Sequence, residues 1–175
     1  MARFLTLLSV ALILAGSPLR AAGIDDFVGT YAGSAEFDTT SGTQKRDMSA
    51  TIEREKKGFS VTWTSVTTKS DGRTKEKSYT IGFVPSDREN IFSSAMKTNV
   101  FGKQVPLDPL KGEPFVWARL NGDTLSVFSL FINETGEYEM QEYHRTLAEG
   151  GLELLFKRIQ NGVAEREIQT FLERQ

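Results

Sequence analysis

The chain has 175 residues, a formal net charge of −2, 25% charged residues and no cysteine. Without cysteine it has neither disulfides nor a lipid-modified N-terminal cysteine, so a folded domain must be held together by its core. The nearly balanced charge argues against nucleic acid and anionic membranes as partners, since neither would attract the chain as a whole.

The first 22 residues have the pattern of a secretory signal peptide. Arg3 supplies a positive start, residues 4–15 are apolar, and small residues at 21–23 offer a cleavage site. The apolar run is shorter than a transmembrane helix needs. We therefore predict an exported bacterial protein, periplasmic or secreted, with a signal peptide over 1–22 and a single domain over 23–175. We expect no integral membrane span after cleavage.

Short stretches of alternating apolar and polar residues follow, and turn residues separate them. Such a pattern predicts half-buried β-strands, because successive side chains of a strand point to opposite faces. In chain order these strands are expected near residues 27–37, 48–53, 59–64, 78–83 and 91–96.

Residues 97–112 interrupt this rhythm with two prolines that disfavour a central strand. Apolar residues in so long a connection indicate that it packs against the rest of the protein. It is predicted either to seal one end of the core or to act as a lid over a ligand site, through Phe101, Val105, Leu107 and Leu110.

Residues 113–147 are predicted to form three antiparallel strands. Asn121-Gly122 is typical of a type I′ hairpin turn, which would place Leu120 opposite Asp123. The same register pairs Ala118 with Leu125, Trp117 with Ser126, and Phe115 with Phe128. A three-residue loop at 134–136 would pair Ile132 with Tyr138 and Leu130 with Met140.

The two faces of this three-stranded segment differ in side-chain size. The face with the larger side chains is interpreted as the interior; it carries Phe115, Trp117, Phe128, Leu130, Ile132, Tyr138 and Met140. The opposite face is interpreted as the exterior; it carries Val116, Ala118, Leu125, Val127, Phe131, Glu139, Gln141 and Tyr143.

Two more strands follow, joined by a second Asn-Gly turn at Asn161-Gly162. The chain thus contains about ten short strands and no convincing helical period beyond residue 22. Sequential hairpins favour an all-β fold, an antiparallel up-and-down barrel of about 8–10 strands, which leaves no exposed sheet edge. A two-sheet β-sandwich is the alternative.

The opening segment, residues 27–31, resembles the Gly-x-aromatic start of the calycins, the lipocalins and fatty-acid-binding proteins. The intracellular fatty-acid-binding proteins are the most similar in the placing of residues 36–38 and 171–174. Tyr31 stands where those families have tryptophan, and the turn after the first strand is too short for their helical portal. The resemblance implies a lipocalin-like barrel in which Gly29 opens the strand and a cation packs over Tyr31, from Arg158, Arg166 or Arg174.

The residues that could perform catalysis or bind a metal are sparse. His144 is the single histidine, and without cysteine it has no partner for a soft-ligand metal site. The sequence also lacks a Gly-x-Ser-x-Gly nucleophile motif. We therefore predict a protein that is not an enzyme and that uses neither a cofactor nor a metal.

Two functions fit these patterns. The first is a non-catalytic carrier or sensor of a small apolar, lipid-like ligand inside the barrel. Its expected lining residues are Trp63, Tyr79, Phe83, Phe115, Trp117, Phe128, Tyr138 and Met140. The second is an envelope protein-interaction module or inhibitor, with a filled barrel and a partner bound on the outer face around Val116, Leu125 and Val127.

Overall fold

The computed structural model describes residues 22–39, 42–94, 97–98, 104–105 and 107–175. It is an all-β protein in which ten antiparallel strands form one closed barrel. The barrel strands are β1 (Gly29–Thr39), β2 (Gly42–Glu55), β3 (Gly58–Thr68), β4 (Thr74–Pro85), β5 (Ile91–Ser94), β8 (Phe115–Asn121), β9 (Thr124–Ile132), β10 (Tyr138–Ala148), β11 (Gly151–Gln160) and β12 (Val163–Arg174). The remaining elements are the short helix α1 (Ile24–Phe27), a 3₁₀ turn (Pro109–Lys111), and a two-residue pair of strands, β6 (Lys97–Thr98) and β7 (Gln104–Val105).

Each barrel strand pairs with its neighbours in the chain, and β1 pairs with β12 to close the sheet. This is an up-and-down barrel, which confirms the predicted fold class and excludes the β-sandwich. The closure rests on few residues, because β1 and β12 pair at Tyr31 with Arg174 and at Ala32 with Glu173. β5 is also short: it pairs with residues 83–85 of β4 on one side and with residues 117–119 of β8 on the other.

The hairpin turns largely follow the sequence signals. Asn161 and Gly162 both have positive φ, 47° and 82°, as a type I′ turn requires. The predicted pairing of Ile132 with Tyr138 is confirmed, as is that of Leu130 with Met140.

The register at the first turn of the 113–147 segment was predicted wrongly. Asn121 pairs with Thr124, so the loop is Gly122-Asp123 and not Asn121-Gly122. Only Gly122 has a positive φ, 55°, which is the type II′ preference for glycine at the first loop position. The observed partners are therefore Leu125 for Leu120, Val127 for Ala118, Phe128 for Trp117 and Leu130 for Phe115.

The predicted interior and exterior of this segment are reversed. Val116, Ala118, Leu125 and Val127 are buried at 2% exposure or less and belong to the core. The predicted interior side chains instead lie on the outside of the barrel. The shift in register did not cause this error, because it moved each pairing by two residues and so preserved the alternation of faces.

One end of the barrel is closed by α1 and a filled apolar core. Phe27 and Tyr31 are fully buried there, and the Tyr31 hydroxyl donates a 2.8 Å hydrogen bond to the carbonyl of Phe27. Arg174 lies over the Tyr31 ring, 4.9 Å from its centroid, and donates to the carbonyls of Val28 and Asp26 at 2.8 and 3.2 Å. These contacts tie the last strand to the start of the first.

Candidate functional site: a cationic cavity in the barrel

The half of the barrel away from α1 encloses a cavity of about 390 Å³. Cavities of this size can hold a small organic ligand. It reaches the surface, because its lining includes the exposed side chains of Lys75, Lys77 and Tyr79 on β4. The other end is closed by the core beneath α1, so the cavity has a floor and a mouth.

Inward-facing positions change from apolar to polar along several strands, among them β2 and β10, and this change creates the cavity. On β2 the inner series from floor to mouth is Ile52, Ala50, Met48, Arg46 and Gln44. On β10 it is Leu147, Arg145, Tyr143, Gln141 and Glu139. Apolar side chains fill the α1 end, and longer polar ones stand around open space at the other.

Arg145 lies at the floor of the cavity. Its side chain is 1% exposed, and among the described residues no group accepts a hydrogen bond from its Nε or Nη1. Its guanidinium carbon lies 5.5 Å from the centroid of the Tyr143 ring. Burial lowers the pKa of Arg145 from 12.5 to about 10, because the charged form has lost its water.

A second arginine, Arg158, has its charge balanced by the protein. Its Nη2 donates to Glu139 at 2.5 Å, and its Nε lies 3.6 Å from Glu165. Glu139 also accepts a 2.6 Å hydrogen bond from Gln141, whose side-chain oxygen accepts one from the Tyr143 hydroxyl at 3.0 Å. This chain of contacts fixes the polar wall of β10 without using Arg145.

Two more arginines, Arg46 and Arg166, lie nearer the mouth and close to the ring of Phe37. Arg46 and Arg166 lie 5.0 and 4.9 Å from the centroid of that ring. Arg46 also donates to the Thr67 hydroxyl at 3.1 Å. Burial lowers the pKa of Arg46, and the nearby charge of Arg166 lowers it further.

The cavity therefore has a strong excess of positive charge. Among its described lining residues, seven are lysine or arginine and none is aspartate or glutamate, and Glu139 and Glu165 at the wall balance one of the seven, Arg158. Like charges lining a low-dielectric concave surface create a potential that attracts anions. Aromatic and aliphatic side chains occupy the space between these charges, among them Trp63, Tyr143 and Phe156.

The cavity contains two of the eight predicted ligand-binding residues, Trp63 and Tyr79. Phe83 is fully buried in the filled core. The other five lie on the outside of the barrel, so their predicted role in lining a cavity is wrong: Phe115, Trp117, Phe128, Tyr138 and Met140.

The predicted lid is described only in part. Phe101 lies outside the described residues, and for Val105 only the backbone is described, in β7. Leu107 is half-buried, whereas Leu110 is 80% exposed in the 3₁₀ turn.

Of the three cations considered for Tyr31, the structure places Arg174 over the ring, whereas Arg158 and Arg166 lie at the cavity. Gly29 makes room for this contact, because a Cβ there would lie 2.6 Å from Nη1 of Arg174.

The outer face expected to bind a protein was also placed wrongly, since Val116, Leu125 and Val127 point into the barrel. The apolar residues that do lie outside form a strip on β8–β10. Trp117 stacks on Phe128 there with ring centroids 5.0 Å apart, and Phe115 is 38% exposed.

The sequence interpretation missed the arginines of the cavity. Arg46 is in phase with Met48, Ala50 and Ile52, and Arg145 is in phase with Leu147. A charged residue that shares the alternation of core residues was the available signal.

His144 has hydrogen-bond partners on the outer face. Its Nδ1 lies 2.8 Å from the Ser126 hydroxyl, and its Nε2 lies 3.0 Å from Glu142. Within the described ranges, no group of three or more His, Cys, Asp or Glu residues could hold a metal ion.

The part of the chain that the structure describes has no helix of the length and apolarity needed to cross a membrane. Neither the protein-family models nor the curated proteins compared with this sequence match it.

Proposed function

We propose that this protein is a non-catalytic binding protein that holds a small amphipathic molecule with an acid group inside its barrel. The observation that carries the proposal is Arg145, a fully buried guanidinium at the cavity floor that lacks a counter-charge among the described residues. A buried charge without a partner is costly, so a bound carboxylate or similar acid is the natural complement.

The rest of the cavity fits the apolar part of such a molecule. Above Arg145 the wall includes Trp63, Tyr143, Phe156 and Ile81, which offer rings and aliphatic surface. Pockets that combine a mainly apolar lining with one fixed polar group orient their ligand by that group. The apolar, lipid-like ligand expected from the sequence therefore becomes an amphipathic acid.

Export is a part of this proposal that rests on the sequence alone. The charged start, apolar run and small residues of the first 22 positions support a periplasmic or secreted carrier or sensor. Removal of residues 1–22 can be checked by mass spectrometry of protein recovered from the periplasm of an expression host. A chain that retains residues 1–22 would contradict this part of the proposal and leave the binding site untouched.

Binding can be tested by calorimetric titration with decanoate and its uncharged methyl ester. We expect decanoate to bind at least ten times more tightly than the ester, because only the acid can pair with Arg145. Arg145→Gln should remove this difference. Arg119→Gln is the matched control, since it removes one positive charge from an exposed position on β8. Equal binding of acid and ester, or no binding of either, would refute the proposal.

A second function is favoured by the outer aromatic strip of β8–β10, where Phe115 and Tyr138 are 38% and 40% exposed. Exposed aromatic groups of this kind are typical of protein-interaction surfaces. An interaction module of the cell envelope would use this strip and would need no ligand. Trp117→Ser should then abolish capture of a specific partner while leaving decanoate binding intact.

A further inference from the structure

We propose that the ligand carries two acid groups, one bound at Arg145 on the cavity floor and the other between Arg46 and Arg166 near the mouth. This inference rests on the proposed function and specifies its ligand class. The ligand would be an extended molecule with an apolar middle and an anionic group at each end.

The second position is formed by two cations, Arg46 and Arg166, for which the described part of the chain supplies no counter-charge. Arg46 and Arg166 approach the same ring, that of Phe37, at 5.0 and 4.9 Å. Across the described residues, no carboxylate pairs with either of them. Arg158 provides the contrast, because Glu139 and Glu165 balance its charge in the same part of the barrel.

Holding two guanidinium groups near one another is unfavourable unless an anion joins them. Burial is the larger cause of the lowered pKa of Arg46, and the neighbouring charge of Arg166 lowers it further. A carboxylate between the two would relieve the repulsion and accept hydrogen bonds from both. The stacking of both side chains on Phe37 holds them in place for such an anion.

The spacing of the two positions follows from the strand register. Gln141 lies opposite Arg158, which in turn lies opposite Arg166. Arg145 is four residues from Gln141 along β10. The level of Arg145 and the level shared by Gln141 and Arg166 are therefore about 13 Å apart along the strand. A saturated diacid of medium chain length, such as decanedioate, can extend between them, and Trp63 and Phe156 line the space it would cross.

The test is calorimetric titration of the purified protein with decanedioate, its monomethyl ester and decanoate. The three probes share a chain length and differ in the group at the far end. At low salt we expect decanedioate to bind about tenfold more tightly than either monoacid, because it gains one more charge-assisted contact. Higher ionic strength should reduce this preference, since the second position lies near solvent.

Arg166→Gln should reduce the preference for the diacid to about one, because it removes one of the two cations of the second position. Arg119→Gln should leave the preference intact, because it removes the same charge from the outside of the barrel. These results together would support the second position.

Other outcomes would overturn the inference, and they separate it from the proposed function. If all three probes bind equally well, the diacid is refuted and the acid-binding barrel stands. If the diacid is preferred but Arg166→Gln does not change the preference, the second position is placed wrongly. If none of the probes binds, both proposals fail.

Discussion

Replacing Arg145 by methionine should make the empty protein more stable and unable to bind an acid. The guanidinium is completely buried, and its pKa falls from 12.5 to about 10. At 1.36 kcal/mol for each pKa unit, this shift corresponds to about 3 kcal/mol of unfavourable free energy for the charged form in the folded state. Methionine fills a similar volume without a charge, and replacing buried ionic groups by well-packed apolar ones is often neutral or stabilising, by up to about 4 kcal/mol.

The sign of this effect follows from the two pKa values. The folded-state pKa lies below the unfolded one, so the unfolded chain holds the proton more tightly and charging Arg145 opposes folding. At pH 7 Arg145 is charged in both the folded and the unfolded protein, so the whole unfavourable free energy of the buried charge is present. The gain on substitution should therefore appear in full at neutral pH.

Urea and thermal unfolding monitored by circular dichroism measure this effect. For a domain of this size, about 3 kcal/mol corresponds to a rise in Tm of roughly 6–12 °C. Arg119→Met is the matched control and should change stability by less than about 0.5 kcal/mol, because Arg119 is exposed. Saturating decanoate should raise the Tm of the unsubstituted protein and leave that of Arg145→Met unchanged. A loss of stability in Arg145→Met would refute the reasoning, since it would mean that Arg145 has a partner in the folded protein.

Three further predictions concern the packing of the barrel and the fluorescence of its two tryptophans, Trp63 and Trp117. Arg174→Met should lower the free energy of unfolding by roughly 1–2 kcal/mol, because it removes two hydrogen bonds to carbonyls and the contact with Tyr31. Gly58→Ala should lower it by more than about 2 kcal/mol, because the new Cβ would lie 1.9 Å from a carbonyl oxygen of β4. Decanoate should shift the fluorescence of the Trp117→Phe variant, in which Trp63 in the cavity is the only tryptophan left.

Each of these predictions has a matched control. Arg73→Met removes an exposed arginine from a turn and should be nearly neutral. Gly23→Ala places a Cβ 3.9 Å from its nearest neighbour and should also be tolerated. Trp63→Phe leaves Trp117 on the outside, so its emission should not respond to decanoate. A response from Trp117 alone would place the ligand on the outer strip.

The strands and most turns were predictable because their signals are local. Alternation marks a strand whatever surrounds it, and Asn161-Gly162 has the two positive φ angles that its residues tolerate. Asn121-Gly122 has the same residues, yet the loop there is Gly122-Asp123. The turn alone did not decide the register. The observed register places the core side chains of Leu120 and Leu125 opposite one another, whereas the predicted one would place Asp123 opposite Leu120.

The faces of β8–β10 could not be assigned from side-chain size and polarity. Large aromatic groups such as Trp117 and Phe128 suggested an interior, but they stack on one another outside the barrel. Gln141 and Glu139 suggested an exterior, but Gln141 lines a cavity and Glu139 is bonded to Arg158 at its wall. The rule that polar residues face solvent fails where the interior itself contains a polar space.

The arginines of the cavity carry more functional information than its aromatic groups. Aromatic side chains fill cores in many proteins, so Trp63 alone does not distinguish a filled barrel from one that binds a ligand. Arg145 is buried and has no counter-charge among the residues that the structure describes, so its charge opposes folding and the apolar core beneath α1 must offset it. A feature that lowers stability and is nevertheless built into the floor of a cavity is best explained by what binds there.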